Sequence, residues 1–119
     1  MGKFVIRETN TGWKFDLKAT NGEVIATSEV YSTKAACLRG AQSVAKNAPT
    51  VPCADLTEGG KAANPQFQLY RDRAGEYRFR LTARNGEVIA VSEGYKAKAS
   101  CENGIASVRK NAEDAPIEE

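Results

Sequence analysis

The feature that most constrains this chain is an internal duplication. Residues 13–48 align with residues 77–112 at a constant offset of 64, and 21 of the 36 aligned positions are identical. A repeat of this kind indicates two copies of one supersecondary unit that bury their apolar faces against each other. One copy alone, of about 55–60 residues, would bury too small a fraction of its surface, so we expect both copies to share one core.

The repeat predicts the domain organisation. We expect a single domain over residues 1–119 with pseudo-two-fold symmetry. The first repeat covers about residues 1–55, the second covers about residues 65–119, and a linker over about residues 56–64 joins them. Apolar residues form 41% of the chain and charged residues 27%, which is an ordinary balance for a globular protein.

Each copy shows three strand patterns followed by one helical pattern. Alternating apolar residues predict strands over 3–8, 13–20, 23–28, 66–72, 77–84 and 87–92. An Asn-Gly pair separates the second and third strands of each copy and predicts a type I′ hairpin turn. Helices are predicted over about 33–47 and 97–111, with Ser32 as the N-cap of the first. The acidic tail, residues 113–119, is expected to fray.

The predicted helices each present one apolar face. Counted from Cys37 or Cys101, apolar residues recur at i, i+4, i+7 and i+11, so these cysteines are expected to be buried and inert. Gly40 and Gly104 lie in mid-helix, where glycine costs about 0.5–1 kcal/mol relative to alanine. We expect a close approach of each helix to the sheet or to the other helix to explain them.

The motifs shared by the two copies resemble those of the YegP-like family, bacterial domains of unknown function. They are Asn21-Gly22-Glu23 and Ser28-Glu29-x-Tyr31, repeated as Asn85-Gly86-Glu87 and Ser92-Glu93-x-Tyr95, with Asn103-Gly104-Ile105-Ala106-Ser107-Val108 in the second copy. The first copy departs from the last motif at Leu38-Arg39-Gly40-Ala41. The resemblance implies an α+β fold in which two β-β-β-α-β repeats form one antiparallel sheet with both helices on one face. It also implies exchange of the C-terminal strands, for which Val51–Cys53 and Ala115–Ile117 are the candidates.

Composition excludes several classes of function. The chain has no histidine, which excludes a Ser–His–Asp or Cys–His nucleophile and histidine metal ligands. We expect no cofactor and no metal site. Three cysteines without CxxC spacing fit a reducing compartment, and no apolar run approaches the roughly 18 residues of a membrane span. The sequence therefore predicts a cytoplasmic protein without a membrane partner.

The candidate site is the sheet face opposite the helices. Side chains that alternate with the apolar residues of strand 77–84 should lie there with an aromatic of the preceding strand. The candidates for contact with a nucleic acid or another anion are Tyr70, Arg78, Arg80, Arg84, Lys14 and Lys18. Arginines beside an aromatic suit phosphate contacts and base stacking. An ordinary solvated sheet face would show the same pattern, with the arginines covering apolar surface.

Lys34 and Lys98 are two further candidates, because they lie in the first turn of each helix, where the helix dipole disfavours a cation. One interpretation is an anion site built with the free helix N–H groups. The other is a solvated lysine that forms a salt bridge with Glu29 or Glu93.

These observations favour a small non-enzymatic binding module that acts as a monomer through its open sheet face. Its partner would be a protein, a nucleic acid or a small anion. Nucleic-acid binding through the basic face is the specific alternative. An enzyme based on Glu23, Glu87, Glu29 or Glu93, on the paired tyrosines, or on Cys53 is a second alternative, and it requires a concave pocket with shifted pKa values.

Overall fold

The computed structural model describes residues 2–119. The first repeat contains β1 (Lys3–Thr9), β2 (Gly12–Lys18), β3 (Val24–Thr27), α1 (Lys34–Asn47) and β4 (Cys53–Asp55). The second contains β5 (Gln66–Arg71), β6 (Tyr77–Thr82), β7 (Val88–Val91), α2 (Lys98–Ala112) and β8 (Ile117–Glu118). A 3₁₀ turn, Leu56–Glu58, follows β4 in the linker. The predicted α+β class is confirmed, and no helix over residues 2–119 is long and apolar enough to cross a bilayer.

The strands form one sheet in the order β4-β5-β6-β7-β3-β2-β1-β8. The six inner strands pair in antiparallel fashion, whereas β4 lies parallel to β5 and β8 lies parallel to β1. The sheet is therefore mixed, although we expected antiparallel pairing throughout. The difference arises because no tight hairpin joins either edge strand to its partner: the linker separates β4 from β5, and β1 and β8 lie far apart in sequence, so neither pair is restricted to the antiparallel direction.

Exchange of the C-terminal strands is confirmed. β4 leaves the first repeat to pair with the second, and β8 leaves the second repeat to pair with the first. The first exchanged strand begins at Cys53, two residues later than expected. The acidic tail was expected to fray, but it is held in the sheet, and Glu118 lies 2.8 Å from the ammonium of Lys3.

At the centre of the sheet the two repeats are joined by a single registered pair of residues. Thr27 of β3 faces Val91 of β7 in antiparallel register, and these two residues occupy equivalent positions in the two copies. An antiparallel pair of equivalent residues must lie on the two-fold axis that relates the copies. The eight-stranded sheet is thus two four-stranded halves joined at this axis.

Both helices cover one face of the sheet, and aromatic rings fill the space between. Phe4 and Phe15 make an edge-to-face pair with centroids 5.7 Å apart, and Phe15 stacks on Tyr31 at 6.3 Å. The second repeat reproduces this cluster with Phe67, Phe79 and Tyr95. Cys37 and Cys101 are fully buried beside these rings in one continuous core, as predicted.

The mid-helix glycines lie against these aromatic clusters. A Cβ added at Gly104 would lie 2.6 Å from Tyr95 Oη and 2.9 Å from Phe79 Cε2. A Cβ at Gly40 would meet Tyr31 and Phe15 in the same way. The expectation of a close approach between helix and sheet is therefore confirmed.

The motif residues have local structural roles, and two details differ from our predictions. Ser92 Oγ accepts from the Phe79 amide and donates to the Glu93 carbonyl, and Ser28 does the same in the first copy. In the Asn21-Gly22 turn only the glycine has positive φ, so the turn is not type I′. The first helix is capped by the side chain of Thr33, not by Ser32, because the Thr33 hydroxyl accepts from the Ala36 amide at 3.1 Å.

Candidate ligand-binding face

We call the sheet surface opposite the helices the outer face. One row of paired residues crosses all eight strands on this face. In order from β4 to β8 it consists of Ala54, Gln68, Arg80, Val91, Thr27, Asp16, Val5 and Glu118. Arg80 and Asp16 are equivalent residues of the two repeats, so opposite charges stand at matching places. The backbone of the outer face therefore follows the two-fold symmetry of the repeats, whereas its charges do not.

The second repeat places Arg80 among neutral partners. The Arg80 guanidinium lies 4.5 Å from the centroid of the Tyr70 ring, and its Nε donates to Gln68 Oε1 at 2.6 Å. Tyr70 stands directly opposite Arg78 on the neighbouring strand, as the sequence predicted. These contacts orient the guanidinium without neutralising it, so Arg80 retains its full charge on an exposed face.

Arg78 is on the same face, but its charge is compensated. Its Nε donates to Asp72 Oδ2 at 2.7 Å, and its Nη1 donates to the Ser92 carbonyl at 3.1 Å. The hydrogen bond from Arg78, followed by that from the Glu76 amide, lowers the pKa of Asp72. Arg78 thus ties the β5–β6 turn to the sheet and offers less charge to a ligand than Arg80.

The first repeat supplies two more cations and one internal ion pair. Asp16 accepts from Arg7 Nε at 2.9 Å and from the Thr27 hydroxyl at 2.7 Å. Lys14 stands opposite Arg7, and Lys18 stands opposite Lys3, so like charges face each other in both pairs. Over residues 2–119, neither Lys14, Lys18 nor Arg80 has a carboxylate within ion-pair distance. These three side chains carry the uncompensated charge of the outer face.

Arg84 does not belong to the outer face in the way that we predicted. We expected the strand to run through residue 84, but β6 ends at Thr82, and Arg84 is an exposed residue of the following turn. The hydrogen bond from the Ala83 amide to the Glu87 carbonyl closes that turn and ends the alternation on which the prediction depended.

The two lysines at the helix N-termini meet carboxylates, as one of our interpretations held, but with different partners. Lys98 lies 2.5 Å from Asp55 and 2.6 Å from Glu58, and Lys34 lies 2.6 Å from Glu119, where we had expected Glu93 and Glu29. Asp55 and Glu119 are equivalent residues, and they lie at the end of β4 and directly after β8. Each lysine therefore fastens the strand donated by the other repeat, and we call these contacts the two clasps.

The titratable groups near the clasps favour structure over proton transfer. The hydrogen bond from Lys98, then that from Thr57, lowers the pKa of Asp55 to about 2. The same carboxylate raises the pKa of Lys98. Both shifts move away from neutrality, so both groups stay charged at physiological pH and are poorly matched to acid–base catalysis.

The thiols offer no activated nucleophile. Burial raises the pKa of Cys101 to about 11 and also raises that of Cys37. Cys53 is exposed, yet desolvation outweighs the nearby Arg109 guanidinium, so its pKa is raised as well. Within residues 2–119 no group of three or more acidic or cysteine side chains is arranged to hold a metal ion.

Comparison with known proteins supports the duplication and the fold. The sequence model of a domain of unknown function, DUF1508, matches residues 8–55 and again residues 72–119. A UPF0339 protein of Bordetella pertussis is 39% identical over 118 residues, which is 99% of this chain and 95% of the relative. A UPF0339 protein of Treponema denticola is 57% identical over 54 residues, which is 45% of this chain and 93% of the relative.

A solved structure gives the same result in three dimensions. The solution structure of yegP from E. coli, a protein of unknown function, has a TM-score of 0.80 and 31% identity, covering 98% of this chain and 90% of that one. Both copies of the repeat, the strand exchange and the sheet order are therefore placed within a known architecture. The chain belongs to the DUF1508 family, whose UPF0339 members include YegP.

Proposed function

We propose that this protein is a binding module without catalytic activity of its own, and that it binds single-stranded nucleic acid through the outer face. The observation that carries the proposal is Arg80, which is stacked on Tyr70, oriented by Gln68 and left without a carboxylate partner. A half-buried arginine stacked on an aromatic of the sheet surface provides both a phosphate contact and a stacking surface.

The charge distribution supports a ligand that crosses the face. Arg80 lies three strands from β2, on which Lys14 and Lys18 project, and neighbouring strands are about 4.8 Å apart. The cations therefore frame a strip about 14 Å wide whose centre is formed by Thr27 and Val91. A net charge of only +2 on the whole chain makes this local cluster, not the overall charge, the source of attraction.

The test is fluorescence anisotropy with mixed-sequence single-stranded RNA and DNA at about 50 and 200 mM salt. If Arg80, Lys14 and Lys18 neutralise three phosphates, affinity should fall about 20-fold over that range, because each contact to a single strand contributes about 0.7 to the logarithmic salt slope. Arg80→Ala should weaken binding and reduce the salt effect to about 7-fold.

The matched control is Arg39→Ala, which removes the same charge from an exposed position on α1, on the opposite side of the sheet. Arg39→Ala should bind as the unaltered protein does. Equal affinity of the two variants would exclude the outer face as the site. An absence of binding at low salt would exclude nucleic acid and leave a protein partner as the next hypothesis.

We propose in addition that the protein acts as a monomer in the cytoplasm. Both halves of the two-fold arrangement come from one chain, and each half receives its edge strand from the other half. A second chain is therefore not needed to complete the sheet. Three free thiols, two of them fully buried, suit a reducing compartment. Light scattering that gives the mass of a dimer would contradict the first statement.

A further inference from the structure

A polar recess lies between the turn after β2 and the C-terminal half of α2. Its volume is about 420 Å³, within the range of small-molecule sites. Its polar lining consists of Thr20, Asn21, Asn103, Ser107, Lys110 and Asn111, and two alanines complete it. The recess is separate from the outer face and shares no residue with the candidates discussed above.

The floor of the recess is held rigidly. Asn111 is only 7% exposed, and its Nδ2 donates to the Ser107 carbonyl at 2.9 Å and to Ser107 Oγ at 3.1 Å. Its Oδ1 accepts from the Thr20 hydroxyl at 3.4 Å. Gly2 packs behind it so closely that an added Cβ would lie 2.8 Å from Asn111 Cβ. A ligand would therefore meet an ordered floor at Asn111 and Ser107, whereas Asn103 and Lys110 at the rim are exposed.

The chemistry of the lining selects a class of ligand. The side-chain amides of Asn21 and Asn103 and the hydroxyls of Thr20 and Ser107 can donate and accept hydrogen bonds, which matches the hydroxyl groups of a sugar, whereas the Asn111 amide is already bonded to Ser107 and Thr20. Among the described lining residues only Lys110 is charged, and lysine is a common phosphate ligand. These residues include no carboxylate, so an anion would meet no repulsion from them.

The recess is formed by both repeats, and particular substitutions distinguish it from the position related to it by the two-fold axis. The equivalents of Thr20, Asn103 and Ala106 in the other half are the larger residues Arg84, Arg39 and Gln42. Within the motif of α2, Gly104, Ile105 and Val108 are buried in the core, whereas Asn103, Ala106 and Ser107 line the recess. Packing in the core therefore explains three of the six motif residues and leaves Asn103, Ala106 and Ser107 without a structural role in the core.

We propose that this recess binds a small phosphorylated sugar, with Lys110 at the phosphate and the Asn and Ser side chains at the hydroxyl groups. The site is independent of the nucleic-acid proposal. Arg80→Ala should leave it unchanged, and changes in the recess should leave the salt-dependent binding of single strands unchanged.

The test is a titration of the ¹⁵N-labelled full chain with ribose 5-phosphate, followed by NMR amide shifts. Saturable shifts at millimolar ligand should be confined to the turn and to α2, including the side-chain amides of Asn21 and Asn103. Ribose and inorganic phosphate, tested separately, should each bind at least about tenfold more weakly. If phosphate alone binds as tightly as ribose 5-phosphate, the sugar contacts are refuted.

Two variants make the test specific to the recess. Ala106→Gln introduces the residue that the other helix carries at this exposed position, so the variant should fold normally. Its affinity for ribose 5-phosphate should be lower by about tenfold or more. The matched control, Gln42→Ala, should have no effect. Lys110→Met should lower the affinity for ribose 5-phosphate but leave the affinity for ribose unchanged. Absence of saturable shifts, or shifts that persist unchanged in Ala106→Gln, would overturn the proposal.

Discussion

Replacing Gly104 with alanine separates two opposing effects on stability. Alanine is favoured over glycine within a helix by about 0.5–1 kcal/mol. The new methyl group, however, would lie 2.6 Å from Tyr95 Oη and 2.9 Å from Phe79 Cε2, both inside a well-packed aromatic cluster. Overpacking of this kind costs about 1–3 kcal/mol, because rings and backbone must shift. The two ranges combine to a net loss of about 0–2.5 kcal/mol, and because both contacts are shorter than 3.0 Å we expect Gly104→Ala to lower the free energy of unfolding by about 1–2 kcal/mol.

The assay is equilibrium urea unfolding followed by Trp13 fluorescence and by circular dichroism. Ala106→Gly, at an exposed position of the same helix, measures the helix-propensity term alone and should cost about 0.5–1 kcal/mol. Tyr95→Phe removes the nearest clashing atom, so the cost of Gly104→Ala should fall by at least about 0.5 kcal/mol in that background. Gly40→Ala should repeat the result in the first half.

A Gly104→Ala variant that is as stable as the original chain, or more stable, would refute the reasoning. It would mean that the helix moves away from the sheet at little cost and that the glycine is not required by close packing. A full loss of about 1–2 kcal/mol that is unchanged in the Tyr95→Phe background would refute only the assignment of the clash to the hydroxyl.

Two further predictions concern the clasps and the thiols. Because the pKa of Asp55 is depressed from 3.8 to about 2, its contribution to stability is complete above about pH 4 and is lost as the pH falls towards 2. Urea unfolding should show this loss in the original chain and a smaller loss in Lys98→Met, in which the hydrogen bonds from Thr57 to Asp55 remain. An identical pH dependence in both would contradict the prediction. In the native protein only Cys53 should react with an aromatic disulfide reagent, and the reaction should be slow because the pKa of this thiol is raised. All three cysteines should react after denaturation. Rapid reaction of a second thiol in the native protein would contradict the burial of Cys37 and Cys101.

The elements of this fold were predictable because their signals are local. Alternation, the Asn-Gly turns and the apolar helix face each depend on residues within one turn or one strand. The errors also have local causes. Ser32 and Thr33 can both act as an N-cap, and only the backbone geometry selects Thr33. Likewise, the alternating pattern of the sequence continues to Arg84, although the hydrogen bonding of the sheet ends β6 at Thr82.

The partners of the charged residues were not predictable, because they come from the other repeat. Lys98 pairs with Asp55, which is 43 positions away, and Arg109 of α2 donates to the carbonyls of Ala48 and Val51 at the end of α1. Sequence proximity suggested Glu93 for Lys98, but the strand exchange brings Asp55 closer. Long-range partners of this kind depend on topology, which local patterns do not contain.

The duplication nevertheless provides an internal control that separates scaffold from site. An antiparallel contact across a two-fold axis must join equivalent residues, so symmetry requires β3 and β7 to pair at positions 64 apart, as Thr27 and Val91 do. Residues identical in both copies, such as Ser28 and Ser92, have the same structural role twice. The backbone that the copies share does not fix the residue at positions where the copies differ, such as Asp16 against Arg80 on the outer face and Gln42 against Ala106 at the recess. A relative that consists of one copy, such as the Treponema denticola protein, has a single residue at each such position. A tandem chain can vary its two halves independently, and both sites proposed for this protein lie where it has done so.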